Sequence, residues 1–118
     1  MLKVREGIEI YVSTECIDMR KSIDSLCALV SQTFELGPQS GHLFIFFNRY
    51  RDKAKIIYWD RNGYVLHYKR MEKHRFIIPA ITSKKQLMIT EVQLNGLLAG
   101  LDFELMGEFD ELEYDKLF

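Results

Sequence analysis

The spacing of apolar residues changes several times along this chain, and each change marks an element. Ile8-Glu9-Ile10-Tyr11-Val12 gathers β-branched and aromatic residues in a short run and predicts an opening strand, broken by Ser13 and Thr14. From Asp18 the period lengthens. Met19, Ile23, Leu26, Val30 and Phe34 recur at three- and four-residue steps, which places them on one face of a helix. Asp18 is the expected N-cap, its carboxylate accepting from first-turn amides. Leu36-Gly37-Pro38 is the expected stop, because glycine accepts a left-handed conformation and proline cannot continue a helix. Leu43 to Phe47 is apolar at every position, the pattern of a strand buried on both faces.

Two more strands are expected on either side of Asp60-Arg61-Asn62-Gly63, since Asn-Gly tolerates the positive φ of a tight hairpin. Across that hairpin one face carries Lys55, Ile57, Trp59, Tyr64, Leu66, Tyr68 and Arg70. The other carries Ala54, Ile56, Tyr58, Val65, His67 and Lys69. The Trp59 face has the larger apolar area, worth about 25 cal/mol per Å² buried, and is expected to face the core. Pro79 ends the strand region, and Gln86-Leu87-Met88-Ile89 predicts one more short strand. Thr90-Glu91-Val92-Gln93 is a capping box opening a short helix that Gly100 closes. Residues 104–118 alternate acidic and apolar positions, the pattern either of a docked last segment or of a flexible acidic tail. Together these elements predict a single α+β domain over residues 1–118, with its compact core over 1–103. Its antiparallel β-sheet of about four to five strands would be packed by one longer and one short helix.

Composition supports a globular chain, with 47% hydrophobic and 28% charged residues. No apolar run approaches the roughly 18 residues of a membrane span, and the first residues lack a secretory h-region. Cys16 and Cys27 form neither a disulfide framework nor a zinc pattern, and Cys27 fits a buried reduced thiol. A cytoplasmic location is the simplest expectation. The formal charge of −1 conceals a sharp division: residues 1–48 carry −2, residues 49–75 carry +6 and residues 76–118 carry −5.

Catalytic chemistry has little support. Asp18, Asp60 and Glu72 form a metal-binding carboxylate set only on paper, and each has a simpler role as helix cap, turn residue or surface charge. His42, His67 and His74 lack metal-ligand spacing, and no glycine-rich phosphate loop or nucleophile motif is present. No cofactor, metal or catalytic residue is therefore expected. The basic block is the stronger signal. Arg49, Tyr50, Arg51 and Lys53 follow one strand, and Lys69, Arg70, Lys73 and Arg75 leave another. In an antiparallel sheet the two clusters meet at one end, where cations can neutralise phosphates and Tyr50 can stack on a base or sugar. The same residues also suit a solvated edge guarded against aggregation.

Four ordered blocks carry a further signal: Asp18-Met19-Arg20-Lys21-Ser22-Ile23-Asp24-Ser25-Leu26, Ser40-Gly41-His42-Leu43-Phe44-Ile45-Phe46, Lys55 through Gly63, and Tyr68-Lys69-Arg70-Met71-Glu72. They resemble the TnpB accessory family of IS66-type bacterial insertion sequences, the products of the second open reading frame, over about residues 8 to 101. That family shares only a name with the RNA-guided TnpB nucleases. The resemblance implies a helper in transposition, beside a separate transposase that supplies strand transfer. DNA and the element-encoded transposase are the expected partners. DNA binding through the basic patch is the leading expectation. An adaptor docking on the transposase without touching DNA is the alternative, and a small metal-dependent nuclease is the least favoured.

Overall fold

The computed structural model describes residues 2–78 and 86–102. Its elements are β1 (Ile10–Ser13), α1 (Ile23–Phe34), β2 (Leu43–Phe47), β3 (Lys53–Asp60), β4 (Gly63–Arg70), β5 (Gln86–Ile89) and α2 (Glu91–Leu98). The strands form one sheet in the order β4-β3-β2-β1-β5. Strand β2 lies at its centre and is buried at all five positions. Its alternate side chains feed two cores. Phe44 and Phe46 meet Leu26, Val30 and Phe34 of α1, together with Ile57. Leu43, Ile45 and Phe47 meet Leu94 and Leu97 of α2, together with Phe76 and Ile78. Fully burying one such side chain stabilises by about 1.5–3 kcal/mol, so an apolar β2 holds both covering layers. Phe34 lies 5.0 Å from Phe44, and Phe47 lies 5.2 Å from Phe76, both as tilted ring pairs.

The α+β class is as expected, and three of the four strand pairings are antiparallel. The exception is β1 with β2, which run parallel, Tyr11 opposite Phe44. Helix α1 is their crossover, the connection a parallel pair requires. The opening strand is shifted to Ile10–Ser13, and Gln86–Ile89 forms where expected. In the β3–β4 hairpin Ile57 opposes Leu66 and Trp59 opposes Tyr64, so the expected faces do meet. The Trp59 face packs against α1, but Trp59 itself is only half-buried. The opposite face is equally a core, with Ala54 at 1% and Ile56 at 3% exposure. A one-sided assignment failed because α2 and residues 76–78 arrive from distant sequence.

Three local expectations are corrected. Asp18 does not cap α1. It accepts instead from the Arg20 amide at 2.9 Å and from the Arg20 guanidinium, and the helix begins at Ser22. A tertiary contact accompanies that delay: Lys55 Nζ donates to the carbonyls of Met19 at 2.7 Å and Lys21 at 2.9 Å, tying the turn at residues 18–21 to the sheet. At the far end of α1 the left-handed residue is Glu35 (φ 55), not Gly37. In the hairpin the positive φ falls on Arg61 (φ 54), while Gly63 pairs with Asp60 as the first residue of β4. The expected boundary at Pro79 lies outside the described residues.

Helix α2 begins and ends as its sequence predicts. Thr90 Oγ1 accepts from the Gln93 amide at 3.1 Å, and Gln93 Oε1 accepts from the Thr90 amide at 2.9 Å, completing the capping box. Gly100 (φ 85) closes it, with Gly100 N–H donating to Leu97 O and Leu101 N–H to Gly96 O, the paired bonds of a Schellman end. Thr90→Ala is expected to cost about 1 kcal/mol of stability. Ser22→Ala should change it by less than about 0.5 kcal/mol, because the Ser22 side chain makes no capping bond. Urea unfolding of the two variants side by side checks the contrast.

Candidate nucleic-acid interface

The parallel pairing of β1 with β2 decides what shares an end of the sheet. Both strands finish there, at Ser13 and Phe47, while β3 starts there and β4 finishes there with Lys53 opposite Arg70. The 48–52 turn and the chain leaving β4 therefore lie side by side. Backbone bonds join them: Met71 N–H donates to Asp52 O at 2.6 Å, and Phe76 N–H donates to Arg51 O at 2.7 Å. Phe76 is buried, which anchors the exposed residues 72–75 between two fixed points. The two basic clusters are thus brought together.

Asn48 builds the turn. Its Oδ1 accepts from the amides of Asp52 at 3.1 Å and Lys53 at 3.0 Å, while its Nδ2 donates to Asp52 Oδ1 at 2.5 Å. Its own carbonyl accepts from the Arg51 amide at 3.1 Å. This is the side-chain-to-backbone bonding that makes asparagine a turn former. Arg51 sits in the left-handed region at φ 58, rare for a residue with a Cβ. The hydrogen bond from Asn48, then the charges of Lys53 and Arg75, hold the Asp52 carboxyl below its ordinary value.

The eight expected site residues divide into three groups. Arg49, Tyr50, Lys73 and Arg75 face outward, Tyr50 at 71% exposure. The Arg75 guanidinium lies over the Tyr50 ring, 5.7 Å from its centroid, so one aromatic face already carries a cation. Arg51 and Lys53 are half-buried, and Arg51 Nη1 is buried without a hydrogen-bond partner among the described residues. Lys69 and Arg70 are exposed but occupied. Lys69 Nζ donates to Leu98 O at 2.6 Å, a cation at the negative end of α2, and Arg70 forms an ion pair with Glu72 at 2.8 Å.

Asn48 and Lys55 were missed as organisers of this end, as was the arrival of Arg20 and Lys21 beside it. The one local signal was Asn48 closing an apolar strand four residues before Asp52. Asp18, Asp60 and Glu72 are not assembled into one site. Asp18 pairs with Arg20, Glu72 pairs with Arg70, and Asp60 lies at the opposite end of the hairpin from Arg70. Among the described residues, no helix is long and apolar enough to cross a membrane. Cys16 is exposed, and Cys27 is half-buried against the α1 core.

Comparison with known proteins adds a family. The model of a family described as IS66 Orf2 like protein matches residues 8–108. The chain is 33% identical over 103 residues to the uncharacterized protein y4jC of Sinorhizobium fredii, covering 87% of each chain. It is 32% identical over 103 residues to the uncharacterized protein y4hO of the same organism, covering 87% of this chain and 89% of that one. No solved structure matches.

The depressed Asp52 carboxyl sets a pH dependence. Below its ordinary value near 3.8 the unfolded chain binds the proton more readily than the folded one. The stabilisation is therefore complete above that value and is lost as pH falls through the lower folded value. Asp52→Asn is expected to be less stable than the parent near neutrality, with the gap closing as pH falls below about 4. Denaturant unfolding across that range checks it, and a gap independent of pH would contradict the assignment.

Proposed function

This chain belongs to the IS66 Orf2-like family, and from that premise we propose that it is a non-catalytic accessory protein of transposition that binds DNA through the basic end of its sheet. One observation carries the proposal. Arg49, Lys73 and Arg75 stand exposed around Tyr50 on two segments that backbone hydrogen bonds hold together. Cations so placed contact phosphates and release counterions, which gives affinity independent of base sequence. Tyr50, backed by Arg75, offers its remaining face for stacking on a sugar or an unpaired base. Arg51 and Lys53 support the turn and add to its field. Lys69 and Arg70 contribute charge at longer range, because their nearest bonds are within the protein.

A second reading has its own observation. Ile77 (43% exposed) and Leu101 (54% exposed) lie beside the same cations, and apolar residues ringed by charge suit a protein partner. On that reading the basic end docks on the element's transposase without touching DNA.

A salt-dependent titration separates the two. Labelled duplex from the element's end, and an unrelated duplex, are titrated with protein at several salt concentrations. DNA binding predicts affinity falling linearly on a log–log plot, with a slope of about −0.9 per phosphate neutralised. The double variant Arg49→Ala with Arg75→Ala is expected to reduce that slope by about two. Absence of binding at low salt removes the DNA reading and leaves the adaptor. Magnesium-dependent cleavage abolished by Asp60→Asn would overturn the non-catalytic assignment.

A further inference from the structure

We propose that the basic end of the sheet has a second occupant within this chain, the acidic segment 103–118, which competes there with nucleic acid. The competition, though not the docking, rests on the DNA reading above. Three observations support it. The first is where the described chain stops. Asp102 bridges to Ile77, and a Cβ on Gly100 would lie 2.8 Å from Met71 Cε and 4.0 Å from Arg75 O. The bridge is parallel, so the described chain ends at Asp102 alongside Ile77, two residues beyond Arg75.

The second observation is charge. Residues 49–53 and 69–75 together carry seven Lys and Arg against two carboxylates, a net +5, while residues 103–118 carry six carboxylates against one lysine, a net −5. The segment is thus a polyanion of the size that the basic end can neutralise. The third is apolar surface at the point of departure. Ile77 and Leu101 are exposed there, and the segment interleaves Phe103, Leu105, Met106, Phe109 and Leu112 with its acids. A nucleic-acid backbone offers no such apolar complement, so these residues favour a polypeptide occupant. Tethering gives the segment an effective concentration in the millimolar range, enough for weak individual contacts to compete with an external polyanion. Because its contacts are ionic, salt weakens the docking: the screening length falls from about 10 Å at 0.1 M to about 3 Å at 1 M.

The test uses the full chain. In one variant all six carboxylates become amides: Glu104→Gln, Glu108→Gln, Asp110→Asn, Glu111→Gln, Glu113→Gln and Asp115→Asn. Carbodiimide coupling, which joins an ammonium to a carboxylate in direct contact, is mapped by mass spectrometry on the parent. Intramolecular links from Lys73 or Lys53 to residues 104–115, lost in 1 M salt, are the expected result. Affinity for an unrelated duplex at low salt should be about ten-fold tighter in the amide variant, converging with the parent as salt rises. Links without duplex binding in either protein would uphold the docking while ending the DNA reading. Duplex binding of equal strength in both proteins, with no such links, would overturn the docking and leave the DNA reading intact. Links found only between two chains would also overturn it, because the occupant would then be a second copy.

Discussion

Burial of β2 on both faces is the constraint on which the rest of the structure depends. Five consecutive apolar residues cannot face water on either side, so the sheet must be covered twice. Helix α1 covers Phe44 and Phe46, and α2 with residues 76–78 covers Leu43, Ile45 and Phe47. Both helices are committed to this packing. Each helix buries one face against the sheet and leaves its polar face outward. The antiparallel β2–β3–β4 order then brings the 48–52 turn and the chain leaving β4 to one end of the sheet. Arg49 and Arg51 sit on the turn directly after β2, and Lys73 and Arg75 on the segment leaving β4.

Within that end, local pairing decides which charges remain available. Lysine and arginine are abundant in residues 49–75, yet Lys69 is held by the last carbonyls of α2 and Arg70 by Glu72. Lys55 is turned towards Met19 and Lys21, where it ties the approach to α1 to the sheet. The turn itself owes its shape to Asn48, not to the cations it displays. Arg51 shows the cost: it takes a left-handed backbone and buries one guanidinium nitrogen without an acceptor among the described residues. Leaving such a donor unsatisfied costs about 1–3 kcal/mol, which the surrounding bonds must offset.

Sequence legibility followed the range of the interactions involved. The central strand, the capping box at Thr90 and the glycine stop at Gly100 are local patterns, and all appear as expected. The register of β3 on β4 was readable for the same reason, since a hairpin's pairing is set by its own turn. Convergence of the two basic clusters was readable from antiparallel order alone. What escaped depended on distant partners. Only the tertiary structure shows Lys55 bonded to Met19 and Lys21, whereas the Arg20 that takes the Asp18 carboxylate is a local partner two residues on. The second core face was hidden because Phe76, Leu94 and Leu97 lie far along the chain from Ile56. Leu98 as the partner of Lys69 was hidden in the same way, whereas Glu72, the partner of Arg70, lies only two residues on.

These features bear on what a protein of this design can contribute at a DNA end. Phosphate contacts position a duplex but carry no base information, and the exposed cations here lie on a turn and a short returning segment. A reader of base edges needs side chains projected into a groove from a rigid helix or ribbon. In this fold α1 and α2 are held against the sheet, while the eight-residue β3–β4 hairpin forms part of the sheet itself. On the proposed reading, these contacts position DNA without reading its sequence. The accessory chain would add affinity, and with it a dependence on ionic strength. Such a contribution suits a helper acting in a complex whose specificity is supplied elsewhere. It also accounts for the division of charge along the chain. On the proposed docking, the net +5 of the basic end faces an equal and opposite charge in the same chain, which confines its affinity to polyanions able to displace that segment.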